Sequence, residues 1–192
     1  MPFALVVLVL AAAWRVFTLQ IPSLGNFSPL MALAFCGGVY FRGRWLWLIP
    51  VAALTLSDLY IDRFYATQYH YEWALGEAAV RALCFVAAGT FGQIVAARRS
   101  WLNLGSGALG GSLLFYLVTN TAAWFGDAGY AHTAAGWWQA MTVGHPQFQP
   151  TLFFFRNTLI SDLLFTGVFV LAMETIAQRK GAPSLLRRRT AG

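Results

Sequence analysis

Charged residues are scarce in this sequence, and their scarcity excludes most classes of soluble protein. Of the 192 residues, 10% are charged and 58% are hydrophobic, whereas about a quarter of the residues of a soluble globular domain carry a charge. Cysteine is nearly missing too, because Cys36 and Cys84 are the only two and both stand inside apolar runs. With no CxxC motif and no cluster of Cys and His at metal-site spacing, we expect no disulfide scaffold, no metal and no other cofactor.

The few basic residues do not form one patch, which a nucleic-acid-binding protein would need. The net charge is +6. Most basic residues fall at three short places along the chain: Arg42 with Arg44, Arg98 with Arg99, and a tail with Arg179, Lys180, Arg187, Arg188 and Arg189. Basic clusters between apolar segments are typical of membrane topology signals. We therefore expect a lipid bilayer, and no nucleic acid, as the partner of this surface.

Six apolar segments bounded by helix breakers predict six helices. They are Phe3 to Leu19, Pro29 to Phe41, Arg44 to Tyr60, Ala74 to Ala97, Leu104 to Phe125 and Leu152 to Ile176. The second is shorter than the roughly 20 residues of a membrane span, so we expect it to be buried among its neighbours or to be partly re-entrant. Gly37 and Gly38 would allow close helix contact there. Before it, Asn26 to Pro29 predicts a helix start with a polar cap and a proline in the first turn.

The fold class that follows is all-α, a polytopic transmembrane bundle of six helices with both termini in the cytoplasm. Residues 1–180 form this single bundle and residues 181–192 form a basic cytoplasmic tail. In this N-in/C-in arrangement every basic cluster lies inside, as the positive-inside rule requires. The first segment lacks a basic n-region, so we expect a retained helix and not a removed signal.

The connection from Gly126 to Thr151 between the fifth and sixth helices is too long for a simple turn. Its aromatic content argues against disorder, so we expect it to fold over the outer mouth of the bundle as a lid. An aromatic belt at the membrane interface is the alternative explanation for the outer-loop rings. These rings are Tyr65, Tyr69, Tyr71, Trp73, Tyr130, Trp137 and Trp138. His132 and His145 share the loop without metal-site spacing.

Polar residues inside the apolar segments mark the candidate site, because an ionisable side chain at mid-depth costs about 3 kcal/mol and tends to serve function. Asp162 lies about 15 Å into the last helix, near the midplane. Asp58, Asn120, Arg156 and Asn157 stand near the outer helix ends. We expect these residues to ring an outward cavity with Asp162 at its base.

Structural interpretations of the same residues stay open. Asp162 would then pair with Arg81 or with backbone donors to fix helix register. Glu77 and Arg81, four residues apart, would form an intrahelical ion pair, or in the alternative interpretation would line the cavity. Arg15 would extend to the lipid headgroups.

Three stretches carry a resemblance to a known family: NFSPLMALAFCGGVYFRGRWLWLIPVAALTLSDL from Asn26, LLFYLVTNTAAW from Leu113 and TLFFFRNTLISDLLF from Thr151. They resemble an uncharacterised bacterial family of proposed transport proteins with the patterns NF-x-P, a helix with GG, LSDL, F-x-x-TN-x-x-W and F-x-x-NTL-x-x-DL. The matching residues are Asn26, Phe27, Pro29, Gly37, Gly38, Ser57, Asp58, Thr119, Asn120, Trp124, Phe153 or Phe154, Asn157, Thr158 and Asp162.

That family is distantly similar to the substrate-binding S components of energy-coupling-factor (ECF) vitamin transporters, which are six-helix proteins of bacterial cytoplasmic membranes. The resemblance implies capture of a small solute from outside, adds Trp124 to the site, and makes an ECF-type energising module a partner. S components commonly dock that module through small residues spaced four apart on the first helix. Here only Ala11, Ala12 and Ala13 are available, so a solitary transporter is the alternative.

The sequence therefore predicts an uptake protein for a vitamin-like or heteroaromatic solute, and not an enzyme. An intramembrane enzyme acting on lipid or prenyl substrates would use Asp162, Ser161, Cys84 or the loop histidines, but no catalytic spacing joins them. In a non-catalytic assembly subunit the polar groups would instead join helices.

Overall fold

The structure is a computed structural model that describes residues 2–41, 43, 45–70 and 75–185, and the regular elements in these ranges are all helical. Seven α-helices and one short 3-10 turn (Pro22–Leu24) follow one another. The helices are α1 (Pro2–Thr18), α2 (Leu30–Tyr40), α3 (Trp45–Tyr69), α4 (Leu75–Ala96), α5 (Trp101–Gly126), α6 (Ala134–Met141) and α7 (Thr151–Arg179). Several predicted positions lie outside the described residues: Arg42, Arg44, Tyr71, Trp73, Arg187, Arg188 and Arg189.

Each of the six apolar segments forms a helix, with two differences from prediction. Helix α3 continues to Tyr69 instead of ending at Tyr60, because the next residues contain no glycine or proline and Ile61 is buried in the bundle. The second difference is α6, a short helix inside the connection that was predicted as a loop. The hydroxyl of Thr133 begins it by accepting a hydrogen bond from the Gly136 N–H at 3.1 Å.

In the part of the chain that the structure describes, three helices are long and apolar enough to cross a membrane: α4 over Gly76–Ala96, α5 and α7. Large apolar side chains such as Leu83, Leu102 and Val168 are exposed on their outer faces. An apolar surface of this extent marks contact with lipid or protein.

Helix α2 is the centre of the bundle and packs against α3, α4, α5 and α7. Nine of its eleven residues are buried, which confirms that this short segment is enclosed by its neighbours. Its crossing with α4 is a backbone contact. A Cβ on Gly38 would lie 1.9 Å from the carbonyl oxygen of Gly89, and one on Gly92 would lie 2.1 Å from that of Phe35. The predicted close contact at Gly38 is thus confirmed, and Gly37 is buried beside it.

The turn before α2 is formed by the predicted start signal, Asn26 to Pro29. Asn26 adopts a left-handed conformation with φ 61° and turns the chain. The hydroxyl of Ser28 accepts the Leu30 N–H at 3.3 Å, so within the predicted start signal Ser28 is the polar residue that bonds the first turn. Asparagine adopts this positive φ more readily than most residues, because its short polar side chain can form hydrogen bonds with the nearby backbone in the left-handed conformation. Pro29 stands at the helix start, as expected, and its carbonyl accepts the Leu33 N–H at 2.9 Å.

The opposite end of the bundle is closed around Glu174, a fully buried carboxylate on α7. It accepts hydrogen bonds from the Tyr40 hydroxyl at 2.8 Å and from the Leu185 N–H at 2.7 Å. Arg99, from the turn between α4 and α5, lies 3.6 Å from the same carboxylate. These contacts hold the chain after α7 against the bundle. The sequence alone did not predict this contact.

Candidate functional site

A cavity of about 640 Å³ lies between α1, α3, α4, α5 and α7. It occupies the end of the bundle where α1, α3 and α5 finish and where α4 and α7 begin. Its volume falls within the range of about 300 to 1,000 Å³ that is typical of small-molecule sites.

Each long helix presents one stripe of side chains to the cavity, at the spacing of three or four residues that brings side chains to the same helix face. The stripes consist of Arg15 and Thr18 on α1 with Leu19 directly after it, Leu54, Asp58, Asp62, Tyr65 and Tyr69 on α3, Glu77, Arg81 and Phe85 on α4, Phe115, Thr119 and Ala123 on α5, and Phe154, Thr158 and Asp162 on α7. Among the predicted residues, the cavity brings together Asn26, Asp58, Asn120 and Asp162.

Asp58 is the centre of an ionic cluster that joins three helices. Its carboxylate lies 2.7 Å from the Arg15 guanidinium and 3.3 Å from that of Arg81, and these side chains are at most 18% exposed. Arg81 also lies 3.8 Å from Asp62. Arg15 further donates to the Ser57 hydroxyl and to the Leu54 carbonyl. A carboxylate between two guanidiniums compensates their burial, so this cluster ties α1 and α4 to α3.

The prediction that Arg15 extends to the lipid headgroups is wrong, and Arg81 has a partner on another helix, Asp58. Arg15 does not extend to headgroups, because Asp58 on the neighbouring helix offers a shielded carboxylate at 2.7 Å. Arg81 reaches across to α3 from its place on α4, one turn after Glu77, which lines the same cavity. Both arginines point into the bundle because of the orientation of α1 and α4 about their own axes, which the sequence does not show directly.

Asp162 is 2% exposed and lies at the base of the cavity. Its carboxylate accepts a hydrogen bond from the Ser112 hydroxyl on α5 at 2.7 Å. The suggested structural partner, Arg81, is held by Asp58 on another wall. Among the described residues no cation lies within ion-pair distance of Asp162. A buried carboxylate with a single hydroxyl partner therefore faces the cavity.

Asn120 also lines the cavity, and its amide donates to the Tyr116 carbonyl one turn earlier at 2.7 Å. The donor group of its side chain is thus engaged with its own helix. The carbonyl oxygen of the same amide is the group that can accept from a bound molecule.

Three predicted site residues lie outside the cavity wall. The indole N–H of Trp124 donates to the Ala131 carbonyl at 2.8 Å, so Trp124 contacts the following loop. Arg156 stacks over the Phe153 ring at 4.5 Å. Asn157 donates from its amide to the carbonyls of Ser23 and Gly25, both at 2.9 Å.

Arg156 and Asn157 lie outside the cavity wall because their side chains are on other faces of α7 than the face that lines the cavity. Phe154, Thr158 and Asp162 form the inward stripe of α7, so Arg156 falls on another face. Asn157 instead fastens the connection between α1 and α2, which itself contributes Pro22, Gly25 and Asn26 to the wall. Its role is to position that wall.

The connection between α5 and α7 lies at the mouth of the cavity. Gln147, Phe148, Gln149 and Pro150 line it, and the Phe148 ring lies 5.7 Å from Tyr65 and 5.5 Å from Tyr69. The predicted contact of this loop with the cavity is confirmed, whereas its opening and closing remain a prediction.

Besides the Trp124 contact, two hydrogen bonds anchor α6 to α5: Tyr116 donates its hydroxyl to the Met141 carbonyl, and the Trp137 indole donates to the Thr121 hydroxyl at 3.1 Å. Tyr130, in the same loop, is buried, and this burial together with the Asp127 and Glu77 carboxylates raises its pKa to about 12. Its phenol therefore stays neutral at physiological pH.

Sequence comparison gives the family of this chain. The model of a family of unknown function, DUF6580, matches residues 1–185. The chain belongs to this family. No curated protein and no solved structure matches it significantly, and neither the family nor the helical fold assigns a catalytic activity. The expected resemblance to a family of uncharacterised function is thereby confirmed at this level, and no match supports the similarity to the S components of ECF transporters.

The histidines and cysteines do not build a metal centre in the described part of the chain, where no three metal-ligating side chains come together. His132 packs against Trp124 and Phe125, and His145 packs against Tyr130 and Phe148. Cys36 and Cys84 are buried free thiols.

The sequence did not predict the full stripe on α4. Glu77, Arg81 and Phe85 recur at intervals of four residues, and for Glu77 and Arg81 an internal ion pair was the main interpretation, with a place in the cavity as the alternative. The same spacing also signals that all three share one helix face. Arg15 was a second signal for a residue that lines the cavity, because it is a charged residue inside an otherwise apolar helix.

Proposed function

We propose that this protein is a membrane solute-binding protein for uptake, whose cavity captures a small flat aromatic solute. The cavity itself carries the proposal. It combines aromatic walls from four helices and the loop with a small number of polar groups at fixed positions. Aromatic surfaces bind flat rings by stacking, and fixed polar groups set orientation and specificity.

The orientation follows from the basic residues. Arg98, Arg99, Arg179 and Lys180 lie at the end of the bundle opposite the cavity. By the positive-inside rule that end faces the cytoplasm, so the cavity opens outward and the N-terminus is inside. In this proposal α1 to α5 and α7 supply six membrane segments, with α2 enclosed by the others, in a bacterial cytoplasmic membrane.

The small residues of α1 bear on the choice between a solitary transporter and an ECF-type S component. Ala11 is buried in the core and Ala12 packs against it, which leaves Ala13 exposed. Docking of an energising module through α1 would need an exposed stripe of small residues. The packing of α1 therefore favours a protein that works alone.

The alternative function, an intramembrane enzyme, has less support from the structure. The Ser161 hydroxyl donates to the Thr158 carbonyl of its own helix at 2.9 Å, and Cys84 belongs to an apolar cluster. Neither side chain is paired with Asp162 as a nucleophile is with a base.

Two experiments test the proposal. After purification in detergent, mass spectrometry of the released small molecules should identify one aromatic solute at about one molecule per protein. Its absence from protein purified out of cells grown in rich medium would contradict the binding function.

The second experiment tests the direction of opening by cysteine labelling in intact cells. Gln147→Cys lies at the cavity mouth and Gln178→Cys at the opposite end, and both side chains are exposed. A membrane-impermeant maleimide should label the first and not the second, and the native cysteines are buried. Labelling of Gln178→Cys alone would reverse the orientation.

A further inference from the structure

Charge is distributed unevenly between the cavity and the rest of the molecule. The chain as a whole has a net charge of +6. Among the described residues, four carboxyl groups and two guanidinium groups line the cavity, and neither lysine nor histidine does. The cavity of a basic protein thus has a formal surplus of two negative charges, which favours a ligand of positive charge.

The two guanidiniums are already directed at protein carboxylates. Arg15 lies 2.7 Å from Asp58, and Arg81 lies 3.3 Å from Asp58 and 3.8 Å from Asp62. An anionic ligand would have to replace these contacts. The ionic cluster therefore disfavours a carboxylate or phosphate in this cavity.

Asp162 stands apart from that cluster, on the α7 wall. It is 2% exposed, faces the cavity, and is held by the Ser112 hydroxyl at 2.7 Å. A buried carboxylate is costly unless it is paired and hydrogen-bonded. A ligand cation at the base of the cavity would supply that pairing.

The aromatic walls of the cavity also favour a cationic ligand. Seven aromatic side chains line the cavity, among them Tyr65 and Tyr69 at the mouth and Phe85 and Phe115, whose rings meet edge to face at 6.0 Å. The faces of aromatic rings attract cations, and they do so more strongly away from water.

From these observations we infer that the solute is an aromatic or heteroaromatic cation whose positive group, an ammonium or an equivalent, pairs with the Asp162 carboxylate. The inference rests on the proposed solute-binding function and adds the charge of the ligand to it. Asp58 then has a different role, since it holds Arg15 and Arg81 in place.

The test uses three probes that share an indole ring and a two-carbon arm: tryptamine, tryptophol and indole-3-acetate, with charges of +1, 0 and −1. Their dissociation constants for the detergent-purified protein are measured by equilibrium dialysis. Tryptamine should bind about tenfold or more tightly than the other two. In Asp162→Asn this preference should disappear. In Asp127→Asn, which removes a loop carboxylate outside the cavity wall, the preference should persist.

Equal or tighter binding of tryptophol or indole-3-acetate would overturn the inference, and so would failure of tryptamine to bind. A preference for tryptamine that survives in Asp162→Asn would also overturn the role of this carboxylate. The co-purified molecule separates the two proposals. A neutral or anionic solute there refutes only the assigned charge, whereas no solute at all refutes the binding function.

Discussion

Replacing Gly38 by alanine should destabilise the bundle at the crossing of α2 and α4. The new Cβ would lie 1.9 Å from the Gly89 carbonyl oxygen, where ordinary contact begins at 3.4 Å. The helices must therefore separate locally by the difference, about 1.5 Å, and α2 has little room to retreat because α7 and α3 also enclose it. Overpacking of this kind costs about 3 kcal/mol, and the better helix propensity of alanine returns about 1 kcal/mol. The expected net loss is about 2 kcal/mol.

The assay is thermal unfolding in detergent, followed by circular dichroism. For a chain of this size a loss of about 2 kcal/mol lowers Tm by about 4 to 8 °C. Gly111→Ala on α5 is the matched control, because a Cβ there would meet nothing within 4 Å, and its Tm should not fall. Equal Tm values for the two variants would refute the backbone contact between α2 and α4.

Three further variants probe the polar contacts. Asp58→Asn leaves two shielded guanidiniums without their common counter-ion and should cost about 3 to 5 kcal/mol. Asp62→Asn, whose side chain is 43% exposed with one contact at 3.8 Å, should cost at most about 1 kcal/mol, and equal losses of Tm would contradict the central role of Asp58. Asn157→Leu removes the two hydrogen bonds to the Ser23 and Gly25 carbonyls and should cost about 2 kcal/mol, with faster hydrogen exchange in the connection between α1 and α2; unchanged exchange there would disprove the anchoring role. Glu174→Ala should release the segment after α7, so trypsin should cleave after Lys180 sooner than in the wild type, and an unchanged cleavage rate would show that other contacts hold this segment.

All helices except α6 were predictable because apolar runs and helix breakers indicate them locally. The short helix α2 could be placed inside the bundle because it is too short to span a membrane. The partners of the polar residues were not predictable in the same way. Arg15 pairs with Asp58 across 43 positions of the chain, a contact that depends on the rotation of both helices. The spacing of four residues in α4 was visible, yet it fits an internal ion pair as well as an inward stripe.

The candidate site was predicted in part for the same reason. Asp58, Asn120 and Asp162 were expected at the cavity and line it, because a polar group in an apolar helix tends to point inward. That argument does not distinguish a group that faces the cavity from one that fastens a loop. Asn157 therefore entered the predicted site although its amide holds the carbonyls of Ser23 and Gly25.

Native mass spectrometry of the intact protein tests the central claim most directly, namely that this cavity binds a solute above Asp162. Wild-type protein released from detergent should carry one added mass, and Asp127→Asn should retain it. Asp162→Asn should reach the membrane in similar amount and lose the added mass. An added mass that persists undiminished in Asp162→Asn would place the solute elsewhere and contradict the account.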